Sequence, residues 1–175
     1  MEIEQTGTQV LEKEFTSLTH QVLGSNSDRD LRGTGVPVDM IDGVWMKVQP
    51  WINKALEFGN GEFEIGDIYS ALIDREMQLW IIYERPENHI VLAVVTQIVE
   101  YPQKKACRVV ALGGENHLLW EERLVIIERW AMEQGCSSLE AFVRSGLAKK
   151  MKNLGYNSIY TVVSKEFLGG DNSES

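Results

Sequence analysis

Apolar residues recur along this chain with two periods, and the changes of period divide it into elements. Between Val38 and Leu56 they fall at helical spacing, with Val44, Trp45, Val48, Trp51, Ile52, Ala55 and Leu56 on one stripe and Asp39 or Asp42 placed to cap it. Pro50 stands inside that stripe; it lacks the amide its turn needs, which predicts a kink or a split near Gln49. FGNGEFEIGD ends the helix, and a second runs from about Ile65 to Glu76 with Ile68, Tyr69, Leu72 and Ile73 inward. Short apolar runs bounded by turn formers follow: Gln78 to Tyr83, Ile90 to Glu100 and Ala106 to Leu112, separated by ERPENH and YPQKK. They predict an antiparallel meander of strands.

Gly113-Gly114-Glu115-Asn116 reads as a tight loop, and a long amphipathic helix follows it. Trp120, Leu124, Ile127 and Ala131 make its inner stripe, Asn116 suits its N-cap and Gly135 its terminating position. Ser137 to Val143 is then a strand, parallel to the one before the loop because a helix crosses between them. A short helix from Ser145, with Leu147, Met151 and Leu154 on one face and Gly155 as its stop, leads to a last strand over Ser158 to Ser164.

The ends are different in kind. Residues 1–37 are polar and contain GSNSDRDLRGTG, and residues 168–175 are a polar tail, which leaves 38–167 as the folded domain. A polar arm with little to bury orders on a partner, so a protein partner engaged through residues 1–37 is expected. The formal charge of −9 argues against unaided binding to nucleic acid or to an anionic membrane. No apolar run reaches the length of a membrane span, and MEIEQTG has neither the basic nor the apolar region of a signal peptide. A soluble protein of the host cytoplasm or of a virion is the expectation. Cys107 and Cys136 fall in segments read as core, which suits reduced, inert thiols.

A strand that delivers glycines to a helix N-terminus is an anion site, because unpaired N–H groups point outward there and the backbone can be approached closely. Leu112, Gly113, Gly114, Glu115, Asn116 and His117 are the candidate residues, and a plain strand-to-helix corner is the alternative use of the same glycines. Glu100 and Glu115 are the carboxylates nearest that cleft, and Tyr101 and Tyr156 are the possible acids. His20, His89 and His117 lie too far apart for a metal set, so no metal is expected.

The order of elements, the stretch ALGGENHLLWEERL, and MKNLGY followed by SIYTVVS resemble the GCN5-related N-acetyltransferase superfamily over roughly Val38 to Phe167. The resemblance implies a mixed α/β (α+β) fold in which residues 112–117 hold the pyrophosphate of acetyl-CoA. It is nearest to the small acetyltransferase-like proteins of tailed bacteriophages, through the WI strand, the YP turn, the GG loop and the GC step. Three departures stand out: the family's basic loop residue is absent, Glu115 lies in the loop, and Met151 stands where the family often has a tyrosine. They favour a degenerate acetyl-CoA site in a non-catalytic interaction or virion-associated protein. The alternative is an acetyl-CoA-dependent N-acetyltransferase acting on a protein or small-molecule amine, with Glu100 as base and Tyr156 as acid.

Overall fold

A computed structural model describes residues 30–115 and 123–167. The chain divides into two compact units, Met1–Phe142 and Val143–Ser175, where the sequence suggested a single domain over 38–167. The first unit is a five-stranded sheet in the order β1-β2-β3-β4-β5. Its strands are β1 (Leu31–Gly35), β2 (Met77–Glu84), β3 (His89–Tyr101), β4 (Lys104–Gly114) and β5 (Ser138–Ala141). Helices α1 (Ile41–Leu56) and α2 (Ile65–Ile73) connect β1 to β2, and α3 (Leu124–Glu133) precedes β5. The first four strands pair antiparallel and β5 joins β4 in parallel, the pairing expected for a strand reached through a crossover helix.

Side chains alternate across the sheet, so each face is read off the register. One face carries Leu79, Ile81, Ala93, Val95 and Ala111 against Val48 and Ile52 of α1 and Ile68 and Leu72 of α2, all buried. Removing each of these large side chains from water contributes about 1.5–3 kcal/mol. The other face receives α3, whose Leu124, Ile127 and Ala131 are buried in the phase the sequence predicts. There Trp80 meets Trp130 edge to face at 5.1 Å and donates its indole N–H to Thr96 Oγ1 at 2.9 Å. Trp120, Asn116 and His117 lie outside the described residues.

Four expectations are corrected. The arm does not extend to Pro37: Leu31–Gly35 pairs with Trp80–Glu84 as an edge strand, and Leu31, Thr34 and Val36 are buried. A glycine suits that strand because a Cβ on Gly33 would lie 2.6 Å from Ile126 Cδ1 of α3. Residues 1–29 and 168–175 lie outside the described residues. Second, Pro50 does not split α1, which runs unbroken from Ile41 to Leu56. The buried Val48 and Ile52 flank the proline and hold both halves on the sheet.

Third, Gly113 and Gly114 form no loop. They are the end of β4, paired with Ala93 and Leu92, and neither has a positive φ. Fourth, Ser158–Ser164 makes no strand; Ile159, Tyr160, Val162 and Val163 are exposed, because β propensity without a ladder partner fixes no strand. That stretch belongs to the second unit, which contains α4 (Ser145–Met151) and a 3-10 turn, Lys152–Leu154. Gly155 ends it at φ 87°, with Gly155 N donating to Lys152 O and Tyr156 N to Met151 O. Gly135 ends α3 in the same way at φ 80°, with Cys136 N donating to Ala131 O and Gly135 N to Met132 O.

Candidate active site

Two irregularities of β4 coincide. Its ladder with β3 runs Thr96 to Val109 and then Val95 to Ala111, so Val110 is an extra residue, a β-bulge. Its parallel ladder with β5 ends at the pair Val109 and Ala141. From Val110 to Gly114, β4 continues along β3 with no strand on its other side among the described residues. The bulge turns Val110 and Ala111 together into the α1 face, where both pack on the core. What remains is an opening between β4 and β5, walled on one side by main-chain groups that no strand pairs. Such an edge takes an extended, amide-bearing ligand in the way it would take a further strand.

The glycine pair makes this edge straight and thin. A Cβ on Gly113 would lie 2.6 Å from Trp51 O, and one on Gly114 would lie 2.3 Å from Val91 O. Both glycines allow close backbone packing, and both are paired within the β3–β4 ladder. Glu115 follows, its N–H donating to Val91 O. Its carboxylate accepts from Lys47 Nζ and pairs with His89 Nε2, each at 2.9 Å. Those contacts, His89 first and Lys47 second, hold the Glu115 carboxyl below its ordinary range. The Lys47 ammonium and the His89 ring thereby occupy the carboxylate that the sequence set against a bound pyrophosphate.

On the α1 face just below the bulge lies a polar cluster from three strands. Glu140 Oε1 accepts from Tyr101 Oη at 2.8 Å, from Arg108 Nε at 3.0 Å and from Arg108 Nη2 at 2.9 Å. Arg108 Nη2 also donates to Tyr101 Oη at 2.9 Å, and its guanidinium stacks 4.9 Å from the Phe142 ring centroid. Glu140 Oε2 faces Lys104 Nζ at 4.0 Å and is the cluster's open acceptor. Donation to Glu140 is the main cause that raises the Tyr101 phenol above its ordinary pKa, so it remains a donor at neutral pH. The register explains the grouping: Tyr101 opposes Lys104, Arg108 opposes Glu140, and all four side chains leave the same face.

Of the carboxylates and phenols singled out in the sequence, only Tyr101 joins this cluster. Glu100 is next to it in the strand and therefore leaves the opposite face, three-quarters exposed and paired with Lys105 Nζ at 3.2 Å. Lys105 also donates to Gln134 O at the C-terminal end of α3, about 16 Å along the helix from Arg123. Glu100 is thereby held in an exposed ion pair and takes no part in the Glu140 cluster. Tyr156 belongs to the second unit, where its N–H closes the turn at Gly155. Leu112 is a half-buried β4 residue paired with Val94. Cys107 is buried, and burial chiefly pushes its thiol up to about 12, so it is inert as a nucleophile.

Arg108, Glu140 and Arg123 went unread. The signal for the first two is a charged residue in each of two adjoining apolar strands, CRVVAL and SSLEAF. Arg123 precedes α3, where its Nε is buried and finds no partner among the described residues. A buried guanidinium N–H at the start of α3, without a partner among the described residues, is the kind of donor that suits a phosphate. A coenzyme A fits what is here: an open strand edge for its amide arm and Arg123 for its phosphates. The cavity of about 720 Å³ lined by Val36, Leu72, Met77, Thr96, Ile98 and Trp130 lies beyond the end of β1 and contains none of these groups. Among the described residues no cluster of ligands could hold a metal ion, and no helix is long and apolar enough to cross a membrane.

No family model matches the chain, and no curated protein sequence matches it. Solved structures match it in shape. Glucosamine-6-phosphate N-acetyltransferase from Arabidopsis thaliana superposes with a TM-score of 0.56 at 9% identity, over 78% of this chain and 98% of its own. An aminoglycoside acetyltransferase from an uncultured soil metagenomic sample, in complex with sisomicin, gives 0.60 at 9%, over 79% and 95%. The aminoglycoside N-acetyltransferase AAC(6')-Iy in complex with CoA gives 0.58 at 10%, over 83% and 99%. At these identities the likeness establishes the fold, which is that of the GCN5-related N-acetyltransferases. None of the three is described as a bacteriophage or virion protein, so the narrower phage resemblance gains nothing from them.

Proposed function

We propose that this chain is an acetyl-CoA-dependent N-acetyltransferase whose acyl donor lies in the opening between β4 and β5. One observation carries the reading: the Val110 bulge falls where β5 parts from β4, on a fold shared with solved acetyltransferases. It favours this reading over the non-catalytic one, which rested on Glu115 in the loop, the absent basic residue, Met151 and the polar arm. The glycines are packing residues, and Glu115 is held by Lys47 and His89.

Bound acetyl-CoA would supply a thioester whose carbonyl carbon takes the amine, releasing the coenzyme as its thiol. The main-chain edge of β4 from Val110 to Gly114 orients the donor's amide arm, and Arg123 neutralises phosphate at the start of α3. Glu140 takes the proton that the amine loses, relayed by water to the oxygen that Tyr101 and Arg108 leave open. Tyr101 and Arg108 fix the carboxylate by holding its other oxygen, as second partners fix a catalytic base.

Calorimetric titration with acetyl-CoA, together with thiol release in the presence of amines, tests this. Wild type should bind at micromolar strength, roughly −8 kcal/mol. Glu140→Gln should keep that affinity and lose about 10²–10⁴-fold in turnover. Absence of any heat of binding up to millimolar acetyl-CoA would return the chain to the non-catalytic class.

A further inference from the structure

The polar cluster beside the bulge has a surplus of positive charge, and its position specifies the amine. Glu140 is its one carboxylate, and Arg108 and Lys104 are its two cations, in a chain whose formal charge is −9. Glu140 and Tyr101 use Nε and Nη2 of Arg108, and Nη1 makes no hydrogen bond among the described residues. Lys104 is less committed still. Its ammonium stands 4.0 Å from Glu140 Oε2, beyond hydrogen-bond reach, and 5.2 Å over the Tyr101 ring, with nearly half of its side chain in solvent. The other lysine of the β3–β4 end, Lys105, is already tied to Glu100 and Gln134 on the opposite face.

We infer that Arg108 and Lys104 form an anion subsite, and that the acceptor is a small primary amine carrying a carboxylate or phosphate some distance from its nitrogen. The inference rests on the acetyltransferase reading only for what happens to the amine. Arg108 is two residues from the bulge along β4, a separation on the order of 7 Å, and Lys104 is farther along the same strand. An α-amino acid, whose charged groups are adjacent, is too short to place its nitrogen at Val110 and its carboxylate at Arg108. An acceptor with its charges about 7 Å apart reaches both. The surplus positive charge also disfavours an ammonium ion at this point, so the bound amine is more readily its neutral, nucleophilic form.

The test uses glycine, 4-aminobutyrate and 6-aminohexanoate beside methylamine, butylamine and hexylamine, in two measurements. In thiol-release assays the longer amino acids should exceed their matched alkylamines at least tenfold in kcat/KM, and glycine should show no such advantage. Lys104→Glu should abolish the advantage of the longer amino acids over their matched alkylamines, read as a rise in KM for the amino acids. In calorimetry without acetyl-CoA, 6-aminohexanoate should bind more tightly than hexylamine, with an affinity that falls in Lys104→Glu and with added salt. If the protein fails to bind acetyl-CoA, the acetyltransferase reading fails and this binding comparison still decides the subsite. Equal affinities for the charged and uncharged members of each pair, or a preference that survives Lys104→Glu, would overturn the inference.

Discussion

Replacing Gly113 with alanine probes how closely α1 is seated on β4. The new Cβ would stand 2.6 Å from Trp51 O, 3.0 Å from Trp51 C and 3.1 Å from Trp51 Cβ. All three are well inside ordinary contact, and two are main-chain atoms that no side-chain rotation can move. Relief requires α1 to lift from the sheet, and α1 carries the fully buried Val48 and Ile52 into the core. Overpacking of this kind costs about 1–3 kcal/mol. At roughly 2–4 °C per kcal/mol for a chain of this size, the melting temperature should fall by about 2–12 °C. Gly43→Ala in the same helix is the control: nothing lies within 4 Å of its Cβ, and the better helix former should be neutral or stabilising by up to about 1 kcal/mol. Urea denaturation of both variants, with unchanged m-values, gives the comparison. A Gly113→Ala protein as stable as wild type would refute the packing role and restore the glycines to a ligand-binding one.

Three further outcomes follow from the same structure. Leu124→Ala, which empties a buried site under α3, should cost about 2–5 kcal/mol by urea denaturation. Deleting residues 1–36 should lower the melting temperature sharply, because Leu31, Thr34 and Val36 are buried and the β2 edge loses its ladder; an unchanged temperature would return this segment to the arm. Glu115 has a folded pKa below its unfolded value, so its contribution is present above the ordinary carboxylate range and is lost as pH falls through the depressed value. The stability difference between wild type and Glu115→Gln should therefore close on acidification, and a difference independent of pH would contradict the Lys47 and His89 contacts.

What was legible in the sequence depended on whether an element is fixed by its own residues or by its neighbours. The meander, both connecting helices and the phase of α3 were legible because Leu79, Ile81, Ile127 and Ala131 repeat at periods that local geometry imposes. LRGTG was not, since its two glycines weaken a strand and Leu31 is its one large apolar residue; it is a strand because β2 presents Trp80 to Glu84 to it. SIYTVVS failed the other way, with strong propensity and no partner in the ladder. The glycine pair read as a loop because steric need for a missing Cβ and need for a positive φ look alike in one-letter code. Only the location of Trp51 O separates them. For the candidate site, Tyr101 was visible as a polar aromatic near the meander's end. Arg108 and Glu140 were not, because their pairing comes from a parallel register that no local pattern encodes.

The opening at Val110 bears on how such a protein drifts. The surface that the proposed donor would meet there is main chain, and every residue except proline carries the same N–H and C=O. Substitutions along β4 can therefore accumulate without removing the groups that bind, provided the extra residue and the early end of β5 persist. Purifying selection then acts on spacing and on the small residues that keep α1 close, and hardly on side-chain identity. A lineage under that regime would keep its shape long after a residue-by-residue comparison ceased to find it.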